Sequence, residues 1–261
     1  MQNSLIEMDG ILARESECWN GISAACSVVG RDRGFDVVCV SFHVADWICK
    51  QDHECASRAW VARYRRGHRL VAGTFSEYLA ASRGGPTLFI LDLVDYLLDE
   101  REWVSHCALM FMNEGRLVFI NPHGCDSLDY QEYDYIATKS RIGSKQLRTH
   151  VDELVVTCLV EYMRRFMPVE WKAGGRHNYL GKCLQEDDDI GICFSFPILF
   201  ALSWNPSSAM TAEEIVEEML SEFQGPPEVE ARRALQPYMG QLRKRCGQQS
   251  TSGSQVPSLC T

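Results

Sequence analysis

Residues 106–121 read HCALMFMNEGRLVFIN, and this stretch decides the fold. Two runs rich in apolar residues, 106–113 and 117–121, flank the pair Glu114–Gly115. Because glycine accepts the positive φ that a tight turn requires, the pattern predicts two antiparallel strands joined by a hairpin. With a two-residue loop, Ala108 lies opposite Asn121, and His106 shares a face with Ala108 because side chains alternate along a strand. His106 and Asn121 are then diagonal neighbours, roughly 7–8 Å apart at the backbone, whereas a three-residue loop would shift this register.

The composition is that of an ordinary globular protein. The chain has 261 residues, of which 46% are hydrophobic and 23% charged, and a formal net charge of -9. The length suits one domain of moderate size or two small ones. The acidic balance argues against a protein that coats nucleic acid, since a polyanion would be repelled except at a local basic patch. Such a patch has five candidate members, which fit a solvated, partly helical face better: Arg63, Arg65, Arg66, His68 and Arg69.

The sequence also bears on the cellular compartment of the protein. Residues 1–19 lack the basic start and apolar run of a secretion signal. The longest apolar segment, residues 194–204, is shorter than the roughly 20 residues of a spanning helix. We therefore expect a cytoplasmic or nuclear protein that is not secreted and has no membrane partner.

The 12 cysteines are scattered at irregular spacing, and no CxxC occurs. In a chain without a secretion signal thiols are usually reduced, so most of them are expected to be small buried apolar residues. Cys49, His53 and Cys55 come nearest to a metal cluster, but a second pair is missing. A zinc protein built on this trio is the weakest of the functional alternatives, and we expect no cofactor.

The remaining pattern predicts an α+β fold with a small central sheet, mixed or antiparallel, flanked by helices. Residues 151–163 carry an apolar stripe at helical spacing, and Thr211 with Glu214 forms a capping box before an apolar run. The predicted strands are 35–42, 106–113 and 117–121, with 87–93 either a strand or the start of a helix, and the predicted helices are 54–70, 75–82, 144–166, 193–203 and a short one within 228–245. We divide the chain into an N-terminal extension (1–34), a main domain (35–223) and a C-terminal helix with a disordered tail (224–261).

A candidate nucleophile stands at the start of one predicted helix. Cys193 follows Ile190–Gly191–Ile192 and precedes an apolar run in which Pro197 lies near the first turn. A thiol at a helix N-terminus meets unpaired N–H groups and the positive end of the dipole, which favour the reactive thiolate. Gln185, eight residues earlier, is a potential donor to an oxyanion. On pattern alone, a plain core cysteine at Cys193 and a strand-end histidine at His106 fit better than a catalytic pair.

Two segments resemble a known family. Residues 106–124, HCALMFMNEGRLVFINPHG, resemble the His-strand-turn-strand-Asp/Asn element of the Ulp1/adenain-type cysteine proteases. Residues 184–204, LQEDDDIGICFSFPILFALSW, are similar to the clan's element in which a glutamine precedes a cysteine at the start of a buried helix. The elements occur in the family's order, and the resemblance covers roughly residues 85–222. It is nearer to the branch in large DNA viruses than to cellular SUMO proteases.

The resemblance implies a papain-like or Ulp1-like fold and a cysteine peptidase or isopeptidase. The substrate would be a viral polyprotein or a ubiquitin-like conjugate, as for a deubiquitinase or SUMO protease, in the host cell or virion. Cys193 would be the nucleophile, His106 its base, Asn121 the residue that orients the histidine, and Gln185 an oxyanion donor.

The sequence departs from the family pattern at three points. The third member of the catalytic triad is Asn121 rather than the commoner aspartate. Cys107 replaces the aromatic residue that often follows the histidine. Gln185 stands about two residues farther from Cys193 than is usual in the family. Around these residues, the candidates for substrate binding are Trp103, His123 and His177. The alternative function is an inactive protease-fold module that binds a partner or serves as a scaffold.

Overall fold

The centre of the protein is a seven-stranded mixed sheet with helices on both faces. The computed structural model describes residues 15–43, 56, 59–65, 68–82, 84–97, 102–122, 151–171, 178–179, 184 and 195–238. The strands are β1 (Asp36–His43), β2 (Trp60–Arg65), β3 (His68–Thr74), β4 (Thr87–Leu97), β5 (Glu102–Asn113), β6 (Arg116–Ile120) and β7 (Asn178–Tyr179). The helices are α1 (Glu15–Arg33), α2 (Phe75–Ala81), α3 (Val151–Met163), α4 (Phe196–Ser203), α5 (Ala212–Ser221) and α6 (Pro227–Leu235), followed by a 3₁₀ turn at Gln236–Tyr238.

The strand order is β3-β2-β1-β4-β5-β6-β7. β1 pairs with β4 in parallel, β4, β5 and β6 form an antiparallel meander, and β6 pairs with β7 in parallel. As a result β1, β4, β6 and β7 all run in one direction. Their carboxyl ends lie at the same end of the sheet, which we call the carboxyl end, and the β5–β6 turn lies at the other.

Each face of the sheet is buried in its own core. The first core contains Cys39, Ile90 and Leu109 from the sheet, and it is covered by residues of α1, α4, α5 and α6. The second core contains the alternate sheet positions, such as Val40 and Leu91, and is covered by α2 and α3. Burial on both faces explains why the central strands read as nearly continuous apolar runs.

Local chemistry fixes the ends of several helices. The Thr211 hydroxyl accepts from the Glu214 N–H, and the Glu214 carboxylate accepts from the Thr211 N–H, so the predicted capping box is confirmed. Thr74 and Glu77 form the same reciprocal pair at the start of α2. Pro197 lies in the first turn of α4, as predicted, where its missing N–H removes no helical hydrogen bond.

The helix predicted over residues 54–70 is wrong. The segment contains all of β2 and the start of β3, and β2 pairs with β1 through Cys39↔Ala62 and Val40↔Val61. Alanine and arginine favour a helix locally, but burial of Val61 beside β1 outweighs that preference. Gly67, which separates the two strands in the sequence, was the signal against a helix.

The other elements agree with the sequence. Strands occupy 35–42, 87–93, 106–113 and 117–121 to within a few residues, and helices occupy 75–82 and the described part of 144–166. α6 falls at the start of the segment 228–245. The predicted class, α+β with a mixed sheet flanked by helices, is confirmed, whereas the division into extension, domain and tail stays a prediction. The disorder predicted beyond Cys246 lies outside the described residues.

Candidate functional site

The β5–β6 hairpin has the predicted register. Leu109 pairs with Ile120 and Asn113 with Arg116 around the two-residue turn Glu114–Gly115. Both turn residues have positive φ, 50° and 80°, as a type I′ hairpin requires. β6 ends at Ile120, so Asn121 follows it directly at the carboxyl end of the sheet.

Asn121 lies close to the segment that carries the candidate glutamine. Asn121 itself is 5% exposed. The next residue, Pro122, accepts a hydrogen bond from the Leu184 N–H at 2.8 Å. β7 runs beside the end of β6 through the pair Ile120↔Tyr179. The residue preceding Gln185 is therefore hydrogen-bonded to the residue following Asn121.

The backbone position of His106 is set by β4. His106 pairs with Leu93, and Trp103 pairs with Tyr96 nearer to the tip of the β4–β5 hairpin. Position 106 is two residues from Ala108 and therefore faces the same side of the sheet, and Ala108 belongs to the second core. Position 121 is two residues after Phe119, which also belongs to the second core, so it has the parity of that face. The two positions thus have the same strand parity, as the hairpin register predicted.

Four predicted site residues lie outside the described residues: Gln185, Cys193, His123 and His177. The described residue nearest to Cys193 in sequence is Ser195, which is fully buried and precedes α4. The predicted helix over 193–203 is therefore confirmed from Phe196 onward.

Aromatic contacts locate the carboxyl end of α4. Trp204 packs on Phe35 and on Phe111, with ring centroids 4.8 Å and 5.1 Å apart. Phe35 precedes β1 and Phe111 is near the end of β5, so both mark the end of the sheet that holds the β5–β6 turn. The carboxyl end of α4 therefore lies at this end of the sheet.

The face on which α4 packs constrains the predicted triad. Phe196, Ile198 and Phe200 belong to the first core, whereas positions 106 and 121 have the parity of the second core. Cys193 meets His106 and Asn121 only if residues 191–194 reach past the end of the strands instead of lying over the first-core face.

A polar row crosses the sheet on the α4 face. Ser41 of β1 is opposite Asp92 of β4, and Asp92 is opposite Cys107 of β5. The Ser41 hydroxyl donates to the Asp92 carboxylate at 2.8 Å. Asp92 is 8% exposed and Cys107 is fully buried. Sequence reasoning missed this row, although one aspartate in the apolar run LFILDLV was a usable signal, because a buried carboxylate is costly unless it is hydrogen-bonded.

A cavity of about 190 Å³ lies far from these residues. Phe111 and Trp204 form part of its wall, and Asn113 and Arg116 form part of its rim. The side chains of Asn113 and Arg116 donate to the carbonyls of Pro206 and Ala209, which ties the loop after α4 to the β5–β6 turn. The cavity lies along the turn end of β6, from Arg116 to Val118, roughly 10–17 Å of strand from Asn121, so it is not part of the candidate site.

The described residues include several buried cysteines. The prediction of buried cysteines is confirmed for Cys26, Cys39, Cys107 and Cys158. Across the described residues, no group of three or more His, Cys, Asp or Glu side chains is arranged to hold a metal ion. The zinc alternative on Cys49, His53 and Cys55 lies outside the described residues. None of the helices that the structure describes has the length and apolarity to cross a bilayer.

Comparison with known proteins gives no relative. The chain matches no family model, no curated protein and no solved structure.

Proposed function

We propose that the protein is a cysteine-dependent peptidase or isopeptidase with Cys193 as its nucleophile. The carrying observation is the convergence at the carboxyl end of the sheet: Asn121 directly follows the end of β6, and the Leu184 N–H donates to the carbonyl of Pro122 beside it. In this proposal the sheet and α4 form the papain-like or Ulp1-like arrangement.

The proposed chemistry is acyl transfer. His106 takes the thiol proton, and the Cys193 thiolate attacks the carbonyl carbon to form a tetrahedral oxyanion. The Gln185 amide and the Cys193 N–H stabilise that oxyanion, each donor worth roughly 3–4 kcal/mol of barrier in comparable sites. The C–N bond breaks, and the amine leaves with the proton from His106.

A thioester remains, and water hydrolyses it. His106 takes a proton from the attacking water, and the C–S bond breaks as Cys193 leaves as the thiolate. The thiolate takes the proton back from His106, so the thiol and the neutral imidazole are regenerated. Asn121 accepts from the second ring nitrogen and fixes the tautomer. As a neutral amide it stabilises the imidazolium less than a carboxylate does.

The proposed substrate is an extended protein tail with small residues, often glycine, at the cleavage point. A viral polyprotein and a ubiquitin-like conjugate both present such a tail, and the site of action is the cytoplasm, the nucleus or the virion. Trp103, His123 and His177 are the proposed substrate contacts.

A second function is favoured by one observation. Because α4 packs on the face opposite to that of positions 106 and 121, the predicted triad does not assemble unless residues 191–194 pass the strand ends. If the triad does not assemble, the protein keeps the fold but is inactive. It then binds a protein partner or serves as a scaffold.

A reactive peptide separates the two functions. The wild type is incubated with a peptide that ends in a glycine vinyl methyl ester, and the adduct is mapped by mass spectrometry. An adduct on Cys193 that is lost in Cys193→Ser, and retained in the matched control Cys246→Ser, supports the peptidase. An unmodified Cys193, together with failure to hydrolyse glycine-ended peptide amides, leaves the binding module.

A further inference from the structure

The cavity of about 190 Å³ at the turn end of β6 has the features of a second binding site. The β5–β6 hairpin forms one side of it, and the loop between α4 and α5 forms the other. All the residues that line the cavity belong to the described part of the chain, and the proposed peptidase residues are not among them. A ligand bound here would therefore act independently of Cys193.

The inner wall of the cavity is aromatic. Phe111 and Trp204 are both buried, with ring centroids 5.1 Å apart and ring planes inclined at 63°. Two rings at this angle form a corner in which a third ring packs edge-to-face on one and offset-stacked on the other. Val118 and Ile215 add aliphatic surface to the same wall. An engineered apolar cavity of about 150 Å³ binds benzene, so the volume here fits one aromatic ring with a small substituent.

The rim of the cavity carries an arginine. Arg116 is partly buried, and its guanidinium donates to the Ala209 carbonyl of the opposite loop. That bond uses one N–H of the guanidinium fork, and the others meet no further acceptor within the part of the chain that the structure describes. A carboxylate matches the geometry and charge of this fork. Glu114 lines the same rim but is exposed, so solvent screens its charge more than that of Arg116.

Two side-chain hydrogen bonds hold the two sides of the cavity together. The Asn113 amide donates to the Pro206 carbonyl, and the Arg116 guanidinium donates to the Ala209 carbonyl. Both bonds fix the α4–α5 loop against the β5–β6 hairpin. A site that is already formed pays less ordering entropy when a ligand binds.

We propose that this cavity binds a monocyclic aromatic carboxylate. Its ring packs against Trp204 and Phe111, and its carboxylate accepts hydrogen bonds from the guanidinium of Arg116. The ring contributes the buried apolar area, and the charge-assisted hydrogen bond fixes the orientation of the ligand. A neutral ring of the same shape lacks the second contact, and a saturated ring with a carboxylate lacks the aromatic part of the first.

The first test uses the full-length wild type and benzoate as the probe. The protein is labelled with ¹⁵N at its six tryptophans, and the indole N–H signals are followed by NMR. The Trp204 signal, assigned with Trp204→Phe, is expected to shift most, with a Kd of about 1 mM or lower. Benzamide, a neutral molecule of the same shape, should bind about tenfold more weakly because the charge-assisted hydrogen bond is lost. Cyclohexanecarboxylate should also bind more weakly than benzoate.

Matched variants locate the carboxylate. Arg116→Gln removes the charge and keeps an N–H donor, so it should weaken benzoate by about tenfold and benzamide by less than about twofold. Arg33→Gln is the control, because Arg33 donates to the Trp204 carbonyl but does not line the cavity, and it should change either affinity by less than about twofold. Glu114→Gln removes a like charge from the rim and should strengthen benzoate binding. Ser208→Leu fills the cavity from the loop and should abolish binding of both ligands.

The outcomes decide separately on the cavity and on Arg116. A Trp204 signal that does not shift with benzoate at about ten times the expected Kd overturns the site. Equal affinities of the wild type for benzoate and benzamide overturn the role of Arg116, and this comparison decides even if a variant does not fold. Benzoate binding that survives Ser208→Leu places the ligand elsewhere and also overturns the proposal. None of these results changes the test of Cys193 as a nucleophile.

Discussion

Gly115→Ala tests the turn that sets the register of the β5–β6 hairpin. Gly115 has φ 80°, and a Cβ added there would lie 2.9 Å from the carbonyl oxygen of Pro168. The Gly115 carbonyl also accepts from the Glu170 N–H at 2.6 Å, so the turn has little room to move away. A left-handed conformation costs alanine roughly 1–2 kcal/mol. Overpacking against fixed backbone adds roughly 1–3 kcal/mol, so the unfolding free energy should fall by about 2–5 kcal/mol.

Two glycines provide matched controls. Gly84 also has a positive φ, 70°, but a Cβ there meets nothing within 4 Å, so Gly84→Ala should cost only the backbone term of about 1–2 kcal/mol. Gly85 has open space and no positive φ, so Gly85→Ala should stay within about 1 kcal/mol of the wild type. The three variants are compared by urea unfolding with a common slope. If Gly115→Ala is no less stable than Gly84→Ala, the turn does not pack against residues 168–170 as described.

Three further predictions concern local chemistry. The Thr74 N–H donates to the Glu77 carboxylate and lowers the pKa of that carboxyl. The stabilisation from this hydrogen bond is therefore present at neutral pH and lost as pH falls through the folded-state pKa. In urea titrations, the difference in unfolding free energy between wild type and Glu77→Gln should become smaller on acidification. Thr211→Ala should lower the unfolding free energy by about 1 kcal/mol, and Thr211→Ser by much less; equal losses in the same titration would exclude the hydroxyl cap. Burial raises the pKa of the Cys26 thiol, so Cys26 should resist iodoacetamide at pH 8 until denaturant is added, and rapid labelling of the folded protein would contradict its burial.

The parts of the fold that sequence predicted well are local. The hairpin followed from alternation and a Glu-Gly pair, and α5 from a capping box, because the residues that determine these features are neighbours in the chain. The segment 54–70 failed because its strands are stabilised by pairing with β1, which a helix-favouring composition does not reveal. The parallel β1–β4 pair joins residues about fifty positions apart, and no local signal encodes it.

The candidate site was predictable to a similar depth. The predicted hairpin register placed positions 106 and 121 on the same face of the sheet, and the pairing of β5 with β6 has that register. It gave no information on the face that α4 covers, because helix-on-sheet packing depends on the long-range fold. Ser41 and Asp92 were missed for the same reason: each is an isolated polar residue in an apolar strand, and only the pairing of β1 with β4 joins them.

The most direct test of the central claim is to map the reactive cysteine. The full-length protein is treated briefly with substoichiometric iodoacetamide at pH 7, and each of the 12 cysteines is quantified by mass spectrometry. A nucleophile activated by a histidine should be labelled first, at Cys193, while the buried Cys26, Cys39, Cys107 and Cys158 are spared. Labelling that favours Cys246 and Cys260, with Cys193 no faster than either, would contradict a cysteine-dependent enzyme.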